Sequence, residues 1–265
     1  MNRKDESKRK KVGQPMRIVC AGDSLTRGVS LIRGRLRIVE NPYPKLLEQS
    51  LRSAFGATTA LGEITVTNRG AFNDNSSSLL KRLAKDVLSE EPDIVVIEIG
   101  ANDCDFRWNE VAEAPDLEHT PYVPLERFAS NIERMVEQIQ EAGAKPLLLT
   151  LLPLDPVRYY RHLSKRFGTG IAHWIACCGG IEHWHNRYDE ALRQCVGKLG
   201  VDHIDVRARD GQVQLWRSML SDDGIHLTAT GYQHVSSMVF SSLFALRLVN
   251  PGTVSETAAE PHIVS

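Results

Sequence analysis

Between Arg17 and Leu243 the chain alternates short β-branched or apolar runs with longer stripes of helical spacing, and few architectures accept that order. The runs are Arg17–Ala21, ending at Gly22, then Ile64–Thr67, Ile94–Ile99 and Leu147–Leu152, with Val201–Val206 as a fifth candidate. Between them, Leu125, Phe128, Ile132, Met135, Val136 and Ile139 form one apolar stripe. It predicts a helix ending at Gly143, a residue suited to the left-handed position past a helix C-terminus. A second stripe, Leu79, Leu80, Leu83, Val87 and Leu88, stops before Pro92, and a third, Leu46, Leu47, Leu51 and Phe55, before Gly56. Strand-helix alternation of this kind makes crossovers, and crossovers make a parallel sheet covered on both faces. The expected fold is a three-layer α/β/α sandwich, one domain over 16–249.

Composition removes several function classes. With 265 residues and 42% apolar content a sizeable core is available, and Lys+Arg 32 against Asp+Glu 33 leaves a net charge of -1. No global field therefore draws the chain to nucleic acid or an anionic membrane. No apolar run approaches the roughly 18 residues that span a bilayer, and Met1–Val12 lead into no secretory h-region. The expectation is a soluble cytoplasmic protein without stable membrane insertion, whose partner is a small molecule; oligomeric state leaves no signal. The ends, 1–15 and 250–265, read as a basic tail and a flexible tail.

Cys20, Cys104, Cys177, Cys178 and Cys195 are odd in number and irregular in spacing, unlike a secreted disulfide framework. Cys177 and Cys178 lie near His173, His183 and His185, but neither C-x2-C nor H-x3-H spacing occurs among them, so packing is preferred to zinc. No cofactor and no metal are called for.

Two stretches break the repeating pattern: 104–124, with three prolines, and 154–187, rich in aromatics and histidines such as Tyr159, Trp174, Trp184 and His185. Both follow predicted strands. Open parallel sheets bind ligands beyond the carboxyl ends of their strands, so these insertions are candidate pocket walls or lids, with packed decoration the plainer alternative.

The polar turns carry the chemistry. Ser24, in Gly22-Asp23-Ser24-Leu25, sits where a strand turns into a helix, which projects its hydroxyl above the sheet edge. A phosphate loop is the rival reading, but the spacing to Gly28 is wrong and no Lys-Ser or Lys-Thr follows. A serine hydroxyl needs a base, and Asp223-Gly224-Ile225-His226 places a carboxylate within reach of an imidazole Nδ1, leaving Nε2 for Ser24. Thr228 then caps a last helix bearing Val235, Met238, Val239 and Leu243. Asn102, in Gly100-Ala101-Asn102-Asp103, can aim an amide at an oxyanion, and the turn Asn68–Asp74 can add a backbone N–H.

This ordered set resembles the SGNH, or GDSL, hydrolase superfamily over about Arg17 to Leu243. The resemblance implies a flavodoxin-like sandwich of about five parallel strands and a metal-free esterase, lipase or thioesterase. It implies Ser24 as nucleophile and first oxyanion donor, Asn102 as side-chain donor, and Asp223 and His226 as the rest of a triad. One block departs from the pattern: Asn73 stands where the family has the second glycine of its N-x-G-x-x-G-like stretch, while Gly70 matches the first. Asn tolerates positive φ, so the Asn73 N–H is favoured as backbone donor over that of Gly70. The expected reaction is hydrolysis of a carboxylic ester with a small acyl group or acylated carbohydrate. A lysophospholipase or thioesterase of the same fold, or a binding module that has lost turnover, are the alternatives.

Overall fold

The computed structural model of the protein describes residues 15–55, 63–207 and 213–249. The tails read from the sequence, Pro15 apart, lie outside those residues, as does Gly56. Among the described residues there are seven strands: β1 (Met16–Gly22), β2 (Val29–Ile32), β3 (Arg35–Ile38), β4 (Ile64–Gly70), β5 (Ile94–Glu98), β6 (Lys145–Leu149) and β7 (His203–Ile204). The helices are α1 (Ser24–Arg27), α2 (Tyr43–Phe55), α3 (Ser76–Arg82), α4 (Trp108–Glu113) and α5 (Leu125–Glu141), then α6 (Pro156–Phe167), α7 (Ile171–Cys177), α8 (Ile181–Leu199), α9 (Val213–Met219) and α10 (Ala229–Ala245).

Five strands form one sheet in the order β4-β1-β5-β6-β7, and each of its pairings is parallel. Side chains alternate across it with period two. Ile18, Cys20, Ile94, Val96, Leu147 and Leu149 face α2, α9 and α10, packing on Leu47, Trp216, Tyr232 and Val239. Val19, Ala21, Val95, Ile97 and Leu148 face α3, α5 and α8, packing on Leu79, Phe128, Ile132 and Tyr188. These are the two outer layers of the expected sandwich. The α5 stripe is buried from Phe128 to Ile139, with Leu125 half-buried, and Gly143 (φ 82°) ends it in a Schellman motif: Gly143 N–H donates to Gln140 O and Ala144 N–H to Ile139 O.

Two elements differ from the sequence expectation. The stripe over 79–88 is not one α-helix; α3 gives way to a π turn, Leu83–Val87, and a 3₁₀ turn, Leu88–Glu90. The pair β2-β3 is an antiparallel hairpin whose strands are four residues long, with β3 exposed along its whole length, too short for a periodic signal. Its turn places Arg33 (φ 51°) and Gly34 (φ 74°) in the left-handed region, the twist a two-residue hairpin requires.

The sheet fixes where a ligand can sit. From β1 the chain crosses to β4 on one side and returns to β5 on the other, so the loops after β1 and β5 part at a topological switch point. Residues 104–124 and 154–187 roof this edge. There Phe106, Trp108, Val111, Leu163 and Ile171 form a third buried cluster, with Tyr159, Phe167, Trp174 and Trp184 packed against it.

Candidate active site

Glycine sets the start of the site. Gly22 and Gly70 end the neighbouring strands β1 and β4, and α1 turns directly across them. A Cβ on Gly70 would run into the Arg27 nitrogen, with Thr26 C at 2.6 Å and Arg27 Cα at 2.8 Å. Ser24 is thus held two residues past the strand end, with Asp23 between. Asp23 is the N-cap of α1, its carboxylate accepting from Leu25 N–H at 2.8 Å.

Ser24 Oγ lies 3.1 Å from His226 Nε2, and His226 Nδ1 lies 2.7 Å from Asp223 Oδ2. The 223–226 turn holds this order. Gly224 takes φ 79°, Ser221 N–H donates to His226 O at 2.7 Å, and Asp223 Oδ1 accepts from the N–H groups of Ile225 and His226. Thr228 caps α10 immediately beyond, accepting from Gly231 N–H. Burial works against ionisation of Asp223, but the hydrogen bond and charge of His226, with the two backbone donors, outweigh it and bring the carboxyl down to about 2. Asp223 is a carboxylate at any pH where an esterase works.

The loop after β4 comes to the same place. Asn73 takes φ 58°, and among the described residues no acceptor takes up its N–H. Gly70 differs, for its N–H already donates to Asn68 Oδ1 at 2.9 Å. Arg82 clamps the loop, donating through Nε to Asp74 Oδ2 at 2.8 Å and through Nη2 to Arg69 O at 2.8 Å. Asn102, after β5, donates through Nδ2 to Asp74 O at 2.8 Å and, at 3.3 Å, to Asp23 Oδ2. Its neighbour Asp103 turns away and accepts from Ser76 N–H at the start of α3; burial raises its carboxyl to about 7 against that bond.

Ser24, Asn73, Asn102 and His226 all line one cavity of about 640 Å³. The roof insertions supply most of its other walls, including Phe106, Tyr159, Leu163 and Trp184.

One set of residues escaped the sequence reading. Glu98, read there only as part of a β run, is buried at the end of β5, accepts from Thr26 Oγ1 at 3.0 Å and touches the Asp23 carboxyl. Burial raises both carboxyls; the Glu98 charge pushes Asp23 up further, whereas bonds from Thr26 and Asp23 hold Glu98 back, at about 7. A lone charged residue in Ile94–Ile99 was the available signal. The basic residues of the α6 insertion divide: Arg161 and Lys165 are exposed, whereas Arg158 donates to Arg217 O and Leu220 O. Cys177 Sγ meets His173 Nε2 at 3.7 Å, and among the described residues no cluster of three or more His, Cys, Asp or Glu is placed to hold a metal.

Comparison with known proteins follows the same lines. The profile of the GDSL-like lipase/acylhydrolase family matches residues 20–234, most of the chain. The chain belongs to that family. It is therefore an ester-hydrolysing enzyme of the GDSL type. Among curated proteins it is 26% identical over 223 residues to the uncharacterized lipoprotein YqeF of Bacillus subtilis, covering 81% of this chain and 84% of that one. It is 23% identical to the Arabidopsis thaliana GDSL esterase/lipase CPRD49, covering 64% of this chain and 63% of that one. Among solved structures it is similar to a lipase/acylhydrolase from Enterococcus faecalis, with TM-score 0.65 and 22% identity over 90% of this chain and 100% of the other. It is also similar to a variant of Axe2, an acetyl xylan esterase from Geobacillus stearothermophilus, with TM-score 0.61 and 18% identity over 88% and 97%. Among the described residues no helix is long and apolar enough to cross a membrane.

Proposed function

We propose that this enzyme is a serine esterase that works through an acyl-enzyme on Ser24. The observation that carries the reading is the hydrogen-bonded line from Ser24 Oγ through the His226 ring to Asp223, at 3.1 and 2.7 Å, on the wall of a cavity large enough for a substrate. His226 Nε2 takes the Ser24 proton as Oγ bonds to the ester carbonyl carbon. The alkoxy group leaves with that proton, and water then repeats the steps to release the acid. Asp223, ionised and fixed by two backbone N–H groups, holds the proton of His226 on Nδ1 and stabilises the imidazolium.

The oxyanion receives the N–H of Ser24, the N–H of Asn73 and the Asn102 amide. Asn73 is preferred to Gly70 because the Gly70 N–H is already bonded. Of the two bonds that Asn102 makes, the 3.3 Å one to Asp23 is the weaker. Asp23 is pushed toward its neutral form, so an oxyanion competes well for that hydrogen.

The proposed substrate is a small acyl ester, with an acylated carbohydrate favoured; structural neighbours named as acetyl xylan esterases support this choice. The proposed compartment is the cytoplasm, supported by cysteines whose odd number and irregular spacing do not suit a disulfide framework. Because YqeF is named a lipoprotein, cell fractionation is the check.

Hydrolysis of p-nitrophenyl acetate, butyrate and octanoate by wild type and Ser24→Ala tests the chemistry. The expected result is a Ser24-dependent rate that falls with chain length; full activity in Ser24→Ala overturns the assignment.

A further inference from the structure

The acyl-transfer chemistry uses one end of a cavity that holds much more than a reacting ester group. At about 640 Å³ it falls in the range that encloses a whole small ligand. Aromatic side chains dominate the roof, among them Phe106, Trp108, Tyr159 and Trp184. Two polar groups set among those rings, Asp105 and His185, have no part in acyl transfer.

Asp105 is oriented by its neighbours. Tyr159 OH at 2.9 Å and Trp108 Nε1 at 2.6 Å both donate to Oδ1, which leaves Oδ2 without a side-chain donor among the described residues. Burial raises the carboxyl to about 6, while the bonds from Tyr159 and Trp108 hold it down, so it is largely ionised at neutral pH.

His185 is only 4% exposed yet lines the same cavity. Its Nδ1 lies 2.8 Å from Arg207 Nη2, and a guanidinium can only donate, so Nδ1 accepts and the ring proton sits on Nε2. Burial, then the Arg207 charge, push the imidazole down to about 3 and keep it neutral. Arg207 is anchored in turn on Leu151 O at 2.9 Å and on Asn186 Oδ1. The result is a fixed neutral donor whose Nε2–H has no acceptor among the described residues.

The Phe106 backbone N–H also bonds the Asp105 carboxylate, which keeps lone pairs to spare. An oriented acceptor and an oriented donor, each able to take a further partner, disfavour a hydrocarbon occupant. Under an acyl chain each would lose its hydrogen bonds to water and gain none in return. A polyol meets both demands, because each hydroxyl donates and accepts while the C–H faces between hydroxyls lie on aromatic rings. We infer that Asp105 and His185 form a polyol subsite that binds the hydroxylated part of the ester substrate. Asp105 Oδ2 accepts from one hydroxyl, His185 Nε2–H donates to another oxygen, and the rings of Tyr159 and Trp184 cover the carbon skeleton. This inference rests on the esterase reading of Ser24 and specifies what the cavity selects.

The test compares a monoacetylated methyl glucoside with p-nitrophenyl acetate, in wild type and in Asp105→Asn and His185→Phe. Each variant is expected to reduce the kcat/KM preference for the sugar ester at least tenfold, mainly through KM. Unacetylated methyl glucoside is expected to inhibit p-nitrophenyl acetate hydrolysis competitively in wild type and more weakly in both variants. Asp105→Asn keeps an acceptor for Tyr159 and Trp108, and melting curves identify any variant that fails to fold. Equal losses on the two substrates overturn the subsite; faster wild-type hydrolysis of p-nitrophenyl octanoate than of p-nitrophenyl acetate overturns it and assigns the cavity to an acyl chain. A wild type with Ser24-dependent turnover but no inhibition by the glucoside refutes the subsite alone. Turnover that persists in Ser24→Ala refutes the esterase reading beneath it.

Discussion

Gly70→Ala isolates the claim that the position of Ser24 is set by backbone packing between β4 and α1. The added methyl would meet the Arg27 nitrogen and would stand 2.6 Å from Thr26 C and 2.8 Å from Arg27 Cα. Relaxed carbon contacts lie near 3.5–4.0 Å, so the α1 backbone must retreat by about 1 Å. Ser24 begins that turn, and its 3.1 Å bond to His226 does not survive such a move. Misplacement by about 1 Å costs on the order of 10²-fold in rate, and overpacking costs about 1–3 kcal/mol of stability. Kinetics on p-nitrophenyl acetate give the rate and urea unfolding gives the stability. The expected pattern is a kcat loss near 100-fold in a protein that still unfolds cooperatively. Activity within threefold of wild type, with unchanged stability, refutes the packing argument.

Other substitutions probe neighbouring parts of the site. Asn73→Gly should keep kcat within a few-fold and leave stability equal or higher, because only the backbone N–H is used and φ 58° suits glycine; a 100-fold loss in steady-state kinetics gives the Asn73 side chain a role. Asp223→Asn removes the charge that fixes the His226 tautomer and should lower kcat by about 10³–10⁴-fold with a smaller change in KM. Glu98→Gln addresses pH. The Glu98 carboxyl is raised by burial, so between the ordinary carboxylate range and neutrality the folded state binds more protons than the unfolded chain, and wild-type stability falls as pH rises. The Gln variant should gain on wild type by roughly 2 kcal/mol between about pH 5 and pH 8 in urea titrations. Parallel pH profiles for the two proteins contradict that sign.

Much of the fold was legible because its signals are local. Each of the four β-branched or apolar runs became a strand of the parallel sheet, the run at 201–206 supplied β7, and Gly143 and Thr228 stand where α5 ends and α10 begins. What was missed depends on distance or on length. The β2-β3 hairpin is too short to show alternation, and its Arg33-Gly34 turn is a weaker cue than Asn-Gly. Along 79–88 the apolar spacing fits an α-helix, yet the backbone widens into a π turn, and the apolar positions give no account of it. Glu98 was visible as a charge in an apolar strand, but its partners Asp23 and Thr26 lie some 70 residues away and meet it only through β1-β5 pairing. The His185 tautomer likewise depends on Arg207, which reaches it only after β7 joins the sheet.

The central claim is a covalent acyl group on Ser24, and mass spectrometry of enzyme quenched during p-nitrophenyl butyrate turnover tests it most directly. The account predicts one butyryl adduct, on the peptide that contains Ser24, preceded by a nitrophenolate burst equal to the enzyme present and absent from His226→Ala. Active enzyme that carries no adduct, or carries it on another residue, contradicts the account.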